Sequence, residues 1–139
     1  MKRFYIAYGS NLSESQMAMR CPTAKVVGTS TLKDWRLLFD GPASIERCEG
    51  YEVPVLIWDI QPEDERLLDR YEGYPSYYRK EMLEVEVEGQ KLEAMVYIMN
   101  TKKESMPPSY YYDVLAKGYD RFGFDKKILE KAKQESREW

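Results

Sequence analysis

The sequence predicts an α+β fold in which a mostly antiparallel sheet curls into a barrel-like shape with a few flanking helices. Three observations carry this. A short apolar run near the N-terminus breaks at Gly9 into residues that start helices; the middle of the chain is dominated by β-branched and aromatic stretches with one helical segment set among them; and the chain from Ser109 onward reads as helix. Curling of the sheet is expected because unpaired strand edges invite association and a closed or nearly closed sheet removes them.

Phe4-Tyr5-Ile6-Ala7-Tyr8 has strand length and is apolar throughout, and it stops at Gly9-Ser10-Asn11, which favour turns and caps. Ser13-Glu14-Ser15-Gln16 has the form of a capping box, with Ser13 accepting from the Gln16 backbone N–H while the Gln16 side chain reaches back. Met17, Met19 and Arg20 continue that helix, and Cys21-Pro22 ends it. Lys25 to Phe39, with Gly28 inside it, suits one long strand or two joined at a bend. Ala43 to Cys48 is a weaker strand segment. Val53 to Ile60 is a stronger one, apolar on both faces and so expected to be central, with Pro54 at its start or on an edge.

Pro62 opens a second helix at its first position, and Glu63, Asp64 and Glu65 complement the positive end of the helix dipole. Leu67, Leu68 and Tyr71 form its apolar side; Gly73 fits the left-handed residue that terminates it, which leaves Glu72 at the helix end. Tyr77 to Val87 and Leu92 to Met99 flank Glu88-Gly89-Gln90-Lys91, a hairpin pattern. After Pro107-Pro108 a helix is expected over about Ser109–Tyr119 and a charged one from about Asp125 to Trp139. No repeat or low-complexity linker divides the chain. The expectation is one domain over residues 1–139, its core about 4–123 and its C-terminal charged helix about 125–139.

With 43% hydrophobic and 14% aromatic residues, a chain of 139 residues can bury a core without disulfides or metal. Its 21 basic and 24 acidic residues are well mixed and give a net charge of -3, so no basic stripe is present for a phosphate backbone and nucleic acid is not an expected partner. Histidine is absent. That excludes nucleophiles paired with a histidine base, His-ligated zinc and His-ligated haem. Cys21 and Cys48 show no Cys-x-x-Cys spacing and are expected as two buried thiols acting as small hydrophobes. The apolar run after Met1-Lys2-Arg3 breaks at Tyr8-Gly9, short of a signal-peptide core, and no segment approaches the ~20 apolar residues of a membrane helix. A cytoplasmic protein without a membrane partner is expected.

A strand that runs into Gly-Ser-Asn and then a helix aims unpaired backbone N–H groups at one point, with the positive helix end behind them. Such a loop suits a carboxylate or an oxyanion, and Gly9 leaves room for substrate against the backbone. Taken alone the same pattern is an ordinary capped turn. Glu72 faces the negative end of its helix, and burial beside Tyr71, Tyr74 and Tyr78 would act in the same direction, raising its pKa. Taken alone, a glutamate at a helix end is a solvated surface residue. Ser10 has no base beside it and is read as a binding or capping residue rather than a nucleophile. Arg79 suits either a substrate carboxylate or a nearby acid. Tyr110, Tyr111 and Tyr112 cannot share one helix face, so one or two at most point inward; Glu63, Asp64 and Glu65 diverge for the same reason, and no metal site is expected from them.

Together, Tyr8-Gly9-Ser10-Asn11 after a strand, Glu72-Gly73 at a helix end followed by Tyr78, the strand Tyr97-Ile98-Met99, and Pro108…Tyr111…Gly118 resemble the γ-glutamylcyclotransferases, the AIG2-like or BtrG-like superfamily, over about residues 4–123. The resemblance implies that fold and an enzyme that cleaves a γ-glutamyl amide by cyclising the glutamyl group to 5-oxoproline. By the same resemblance Glu72 is the acid/base, Tyr8, Gly9, Ser10 and Asn11 form the substrate-binding turn, and Tyr78 and Tyr111 are pocket tyrosines. No cofactor or metal is implied, and the partner is a small γ-glutamyl compound bound by a monomer or homodimer. Two alternatives stay open: removal of a γ-glutamyl group from a larger target, such as γ-glutamyl-lysine or a biosynthetic intermediate, and a non-catalytic binding module. The substrate's own α-amine would be the nucleophile, which agrees with a chain that offers no serine or cysteine paired with a base.

Overall fold

The computed structural model describes residues 2–101 and 103–137. In chain order the elements are β1 (Arg3–Ala7), a single 3-10 turn (Ser10–Leu12), α1 (Glu14–Arg20), β2 (Lys25–Phe39), β3 (Ala43–Ile60), α2 (Pro62–Glu72), β4 (Tyr78–Val87), β5 (Gln90–Met99), α3 (Ser109–Phe122) and α4 (Lys126–Ser136). The strands form one sheet in the order β2-β3-β1-β5-β4. Its pairs are antiparallel except for β1 beside β5. The fold is therefore α+β, as expected.

The sheet curls but does not close into a barrel. Its edges, β2 and β4, meet through a side chain rather than a ladder: Ser30 Oγ donates to the Glu86 carbonyl at 2.7 Å. Gly28 is needed where they approach, since a Cβ there would stand 2.8 Å from Val87 Cγ1. The curl has a local source. Asp34 at φ 65° and Gly50 at φ 86° face each other across the β2–β3 hairpin, where the register shifts between Lys33 and Trp35, and the Gly50 N–H donates to Asp34 Oδ1 at 3.0 Å. Such an irregularity increases strand twist.

Ala43–Cys48 and Val53–Ile60 prove to be two ends of one strand, β3. Pro54 lies inside it, paired with Thr31 of β2, yet β1 ends opposite Leu56, so on its other side Pro54 is locally at an edge. The hairpin from β4 to β5 turns on Glu88 and Gly89 alone, both at positive φ (51° and 79°), the primed turn that matches strand twist. Gln90 and Lys91, expected in the turn, are paired with Val87 and Glu86.

Helix ends follow the local chemistry closely. Ser13 Oγ caps α1 by accepting from the Gln16 N–H at 3.3 Å, but the Gln16 side chain turns instead to Arg20, so the box is half made. In α2, Pro62 is the first residue, Asp64 Oδ2 accepts from the Gln61 N–H at 2.9 Å, and Gly73 at φ 67° ends the helix. The third helix runs past Tyr119 to Phe122 because Tyr119 packs edge-on against Phe124, beyond the Gly123 cap. Asp125 caps α4, and the expected extension to Trp139 reaches residues outside those described.

One contiguous apolar core joins Ile6 of β1, Leu37 of β2, Leu56 of β3, Val85 of β4 and Val96 of β5 to Met17, Leu68, Leu115 and Leu129 of the four helices. Cys21 belongs to it, with its thiol 3.6 Å from the Asp64 carbonyl, whereas Cys48, on β3, is only half-buried. Both cysteines are free thiols. No helix among the described residues is long and apolar enough to cross a membrane.

Candidate active site

The chain leaves β1 at Ala7 and reaches the 3-10 turn through Tyr8 and Gly9. The turn's own bonds run from Leu12 N–H to Gly9 O and from Ser13 N–H to Ser10 O, each 3.0 Å, so the N–H groups of Ser10 and Asn11 open the turn without an acceptor in it. The helix α1 begins only at Glu14, so a single 3-10 turn, not a full α-helix, stands behind the loop. Gly9 sits in close packing: a Cβ there would lie 3.1 Å from Tyr111 Oη, which would have to give way, and 3.6 Å from Ala43 Cβ. Asn11 is 2% exposed, and both ends of its side-chain amide and its carbonyl are bonded. Its Nδ2 donates to Tyr5 Oη at 2.9 Å, its Oδ1 accepts from Arg20, and its carbonyl accepts from Trp58 Nε1 at 3.1 Å. Ser10 Oγ shares a 3.1 Å hydrogen bond with Tyr71 Oη.

Glu72 is the last residue of α2, and Gly73 turns the chain away immediately after it. Among the described residues its carboxylate takes no hydrogen bond and no ion pair. Burial pushes its pKa up to about 7, and the positive charge of Arg20 draws it only partly back. The rings around it differ from those expected from sequence neighbours. Tyr71 and Tyr74 are 47% and 40% exposed, while Tyr5, Tyr8 and Tyr78 are buried, and all three, with Tyr111, feel the Glu72 charge. Burial pushes all four phenols upward, so they remain protonated.

The hydroxyls are held by groups from distant elements, three of them by backbone. Tyr8 Oη donates to the Tyr97 carbonyl at 2.7 Å, and Tyr78 Oη donates to the Ala43 carbonyl at 3.0 Å. The Ala43 N–H donates to Tyr111 Oη at 2.9 Å, and Tyr97 Oη donates to Asp69 at 2.5 Å. Tyr111 reaches the loop because α3 lies hard against the 3-10 turn; a Cβ at Gly118 would stand 2.7 Å from Leu12 Cβ.

All seven residues singled out from the sequence, Tyr8, Gly9, Ser10, Asn11, Glu72, Tyr78 and Tyr111, line one pocket of about 280 Å³. Tyr5, Tyr71, Tyr97 and Ala43 line it too. Tyr5 carries a signal that was readable, a hydroxyl inside an otherwise apolar strand that must find a partner. Arg20, stacked 3.6 Å over the Tyr71 ring, carries none, because an arginine in a last helical turn reads as a dipole complement. Arg79 lies outside the pocket and pairs with Glu81 at 3.1 Å. Tyr110 is 75% exposed, and Tyr112 packs against Phe39, so of the three consecutive tyrosines Tyr111 alone lines the pocket. Glu63 pairs with Arg66 and Glu65 with Arg3 and Lys80; among the described residues no cluster of three or more carboxylates or thiols is placed to hold a metal ion.

The family model for gamma-glutamyl cyclotransferase, AIG2-like, matches residues 5–116. The gamma-glutamylcyclotransferases of Homo sapiens and Mus musculus are each 31% identical to the chain over 93% of its length and 76% of theirs. Among solved structures, a gamma-glutamyl cyclotransferase superposes with a TM-score of 0.85 at 24% identity, covering 96% of this chain and 87% of the other. An uncharacterized human protein superposes with a TM-score of 0.84 at 25% identity, covering 95% and 86%. The matched segment contains the loop, Glu72, Tyr78 and Tyr111, and the chain belongs to the AIG2-like gamma-glutamyl cyclotransferase family.

Proposed function

We propose that the protein is a γ-glutamylcyclotransferase-type enzyme: it cleaves a γ-glutamyl amide by attack of the substrate's own α-amine on the γ-carbonyl and releases 5-oxoproline and an amine or amino acid. The observation that carries this reading is the carboxylate of Glu72, without a protein partner among the described residues, facing a pocket of tyrosines with a pKa near 7. An α-ammonium has a pKa of ~8, and an unperturbed glutamate at ~4.3 would be a poor base for it. Glu72 lies within about one unit of the amine, so proton transfer in either direction is nearly balanced.

In this reading the α-ammonium gives a proton to Glu72, the freed nitrogen attacks the γ-carbon, and a tetrahedral adduct forms with negative charge on oxygen. The adduct then collapses with cleavage of the bond to the departing nitrogen. Of the three ammonium protons one stays on the lactam, and two pass, relayed by Glu72, to the leaving amine. Ser10 and Asn11 N–H groups, with Tyr8, Gly9, Tyr78 and Tyr111, hold the glutamyl group folded back on itself, and proximity supplies much of the acceleration. A pocket of about 280 Å³ sits at the lower end of small-molecule sites and suits a glutamyl group, with the leaving portion toward the exposed Tyr71 rim. A soluble protein acting on a free small γ-glutamyl compound in the cytoplasm, as monomer or homodimer and over one domain, completes the proposal.

The test is incubation of the purified protein with a panel of γ-glutamyl amides, with 5-oxoproline read by mass spectrometry. Turnover by the wild type that falls at least ~10²-fold in Glu72→Gln, with a melting temperature at or above that of wild type, is the expected result. Equal cyclisation by the variant would remove Glu72 from the role.

A further inference from the structure

The hydrogen bonds around the pocket fix which tyrosine hydroxyls have a proton to offer. Arginine cannot accept, so the contact of Arg20 with Asn11 identifies Oδ1 on that side and turns Nδ2 toward Tyr5. Tyr5 Oη therefore accepts, and its own proton is unused. The Ala43 N–H can only donate, so Tyr111 Oη accepts as well and also keeps its proton. Tyr8 and Tyr78 are the reverse. Each donates to a carbonyl, of Tyr97 and of Ala43, and each has only lone pairs left to present. These four hydroxyls thus divide into two donors and two acceptors around one carboxylate, while Ser10 Oγ and Tyr71 Oη are bonded to each other and Tyr97 Oη to Asp69.

Position separates the two donors. Tyr111 Oη lies at the loop, 3.1 Å from where a Gly9 Cβ would be, just before the 3-10 turn opens at Ser10. Tyr5 Oη meets the loop from the β1 side, bonded to the Asn11 side chain and with its ring edge-on to Tyr97, and the Glu72 charge acts on both hydroxyls. Resting on the cyclisation reading above, we propose that Tyr5 is a catalytic residue that donates a hydrogen bond to the γ-carbonyl oxygen as it becomes the oxyanion, while Tyr8 and Tyr78 accept from the α-amine and Tyr111 with the loop N–H groups holds the α-carboxylate. No proton leaves Tyr5 in this step. The carbonyl π electrons move to oxygen as the carbon–nitrogen bond forms, the Tyr5 hydrogen bond strengthens, and the electrons return as the leaving nitrogen departs. A donor that tightens only in the transition state acts on kcat, whereas an acceptor for the amine acts already in the bound substrate.

The experiment measures 5-oxoproline from γ-glutamyl-alanine and γ-glutamyl-ethylamide by wild type, Tyr5→Phe, Tyr8→Phe, and a protein carrying 3,5-difluorotyrosine at position 5, at pH 6.5. Expected are a kcat about 10²-fold lower in Tyr5→Phe with KM within about threefold of wild type, and a raised KM in Tyr8→Phe. Difluorotyrosine, a stronger donor that still accepts from Asn11, is expected to match or exceed the wild-type kcat. Because it preserves the Asn11 bond, it decides the question even where Tyr5→Phe does not fold. A wild-type kcat in Tyr5→Phe, or difluorotyrosine behaving no better than phenylalanine, overturns the role of Tyr5; an unchanged KM in Tyr8→Phe overturns the acceptor half. Absence of 5-oxoproline from wild type removes the reaction itself, which is a different failure.

Discussion

Glu72 combines a functional advantage with a structural cost, and the two have opposite pH dependence. As a base it must be ionised, so kcat/KM is expected to rise with pH through about 7. Its folded pKa is raised above the unfolded value, so the folded state holds this proton more tightly than the unfolded chain. Both states are protonated below ~4.5; above that the unfolded chain ionises first, and stability declines as pH rises until the folded group ionises near 7. Glu72→Gln removes that decline. The variant should exceed wild type in stability by on the order of 1–3 kcal/mol at pH 8 and show little difference at pH 4.5, as read by urea unfolding at the two pH values. A gap that does not grow with pH would contradict the burial of this carboxylate. The raised pKa was legible in direction from the sequence, but its surroundings were not. Tyr71 and Tyr74 are near Glu72 in the chain, while the rings that surround it, Tyr5, Tyr8 and Tyr111, arrive from β1 and α3, and no local rule brings them together.

Elements whose ends are set by local chemistry match the sequence expectation closely: Pro62 and Gly73 bound α2, Ser13 starts α1, and Glu88-Gly89 turns the β4–β5 hairpin. The readings that changed depend on what lies across from the element. Ala43–Cys48 and Val53–Ile60 read as separate segments, yet β2 pairs along both and Asp34 accepts the Gly50 N–H between them. Gly118 was readable as one member of a motif; its physical reason is Leu12, which lies 106 residues earlier in the chain and closes against it. Gly118→Ala places a Cβ 2.7 Å from Leu12 Cβ and must push α3 off the 3-10 turn. The cost should be about 1–3 kcal/mol from overpacking, outweighing the better helix propensity of alanine. Because Tyr111 rides on the same helix, kcat/KM should fall as well, by steady-state assay below the melting transition. Leu12→Ala combined with Gly118→Ala should recover part of both, which a simple loss of core area would not do.

At the scale of the molecule, the C-terminal helix, whose Leu129 and Ala132 pack into the core, is also tied to the sheet by a charge cluster centred on one side chain. Arg36 of β2, 11% exposed, pairs with Glu46 of β3 at 2.8 Å, Glu104 of the connection before α3 at 3.0 Å, and Glu135 of α4 at 3.0 Å. Tyr51 adds a hydrogen bond to Glu135 at 3.0 Å. Removing the guanidinium leaves three partly buried carboxylates close together, so the loss exceeds that of any one pair and repulsion replaces attraction. Arg36→Ala should cost on the order of 2–4 kcal/mol, with the melting temperature recovering partly as pH falls and the carboxylates protonate. None of these residues lines the pocket that holds Glu72. Hydrogen exchange should therefore show α4 opening well before β1 and β5, while kcat/KM measured below the transition stays within about twofold of wild type, the usual bound for independent sites. Uniform loss of protection across the sheet would instead mean that α4 and the strands unfold as one cooperative unit, and that the charged cluster stabilises the whole core rather than the seam between α4 and β2.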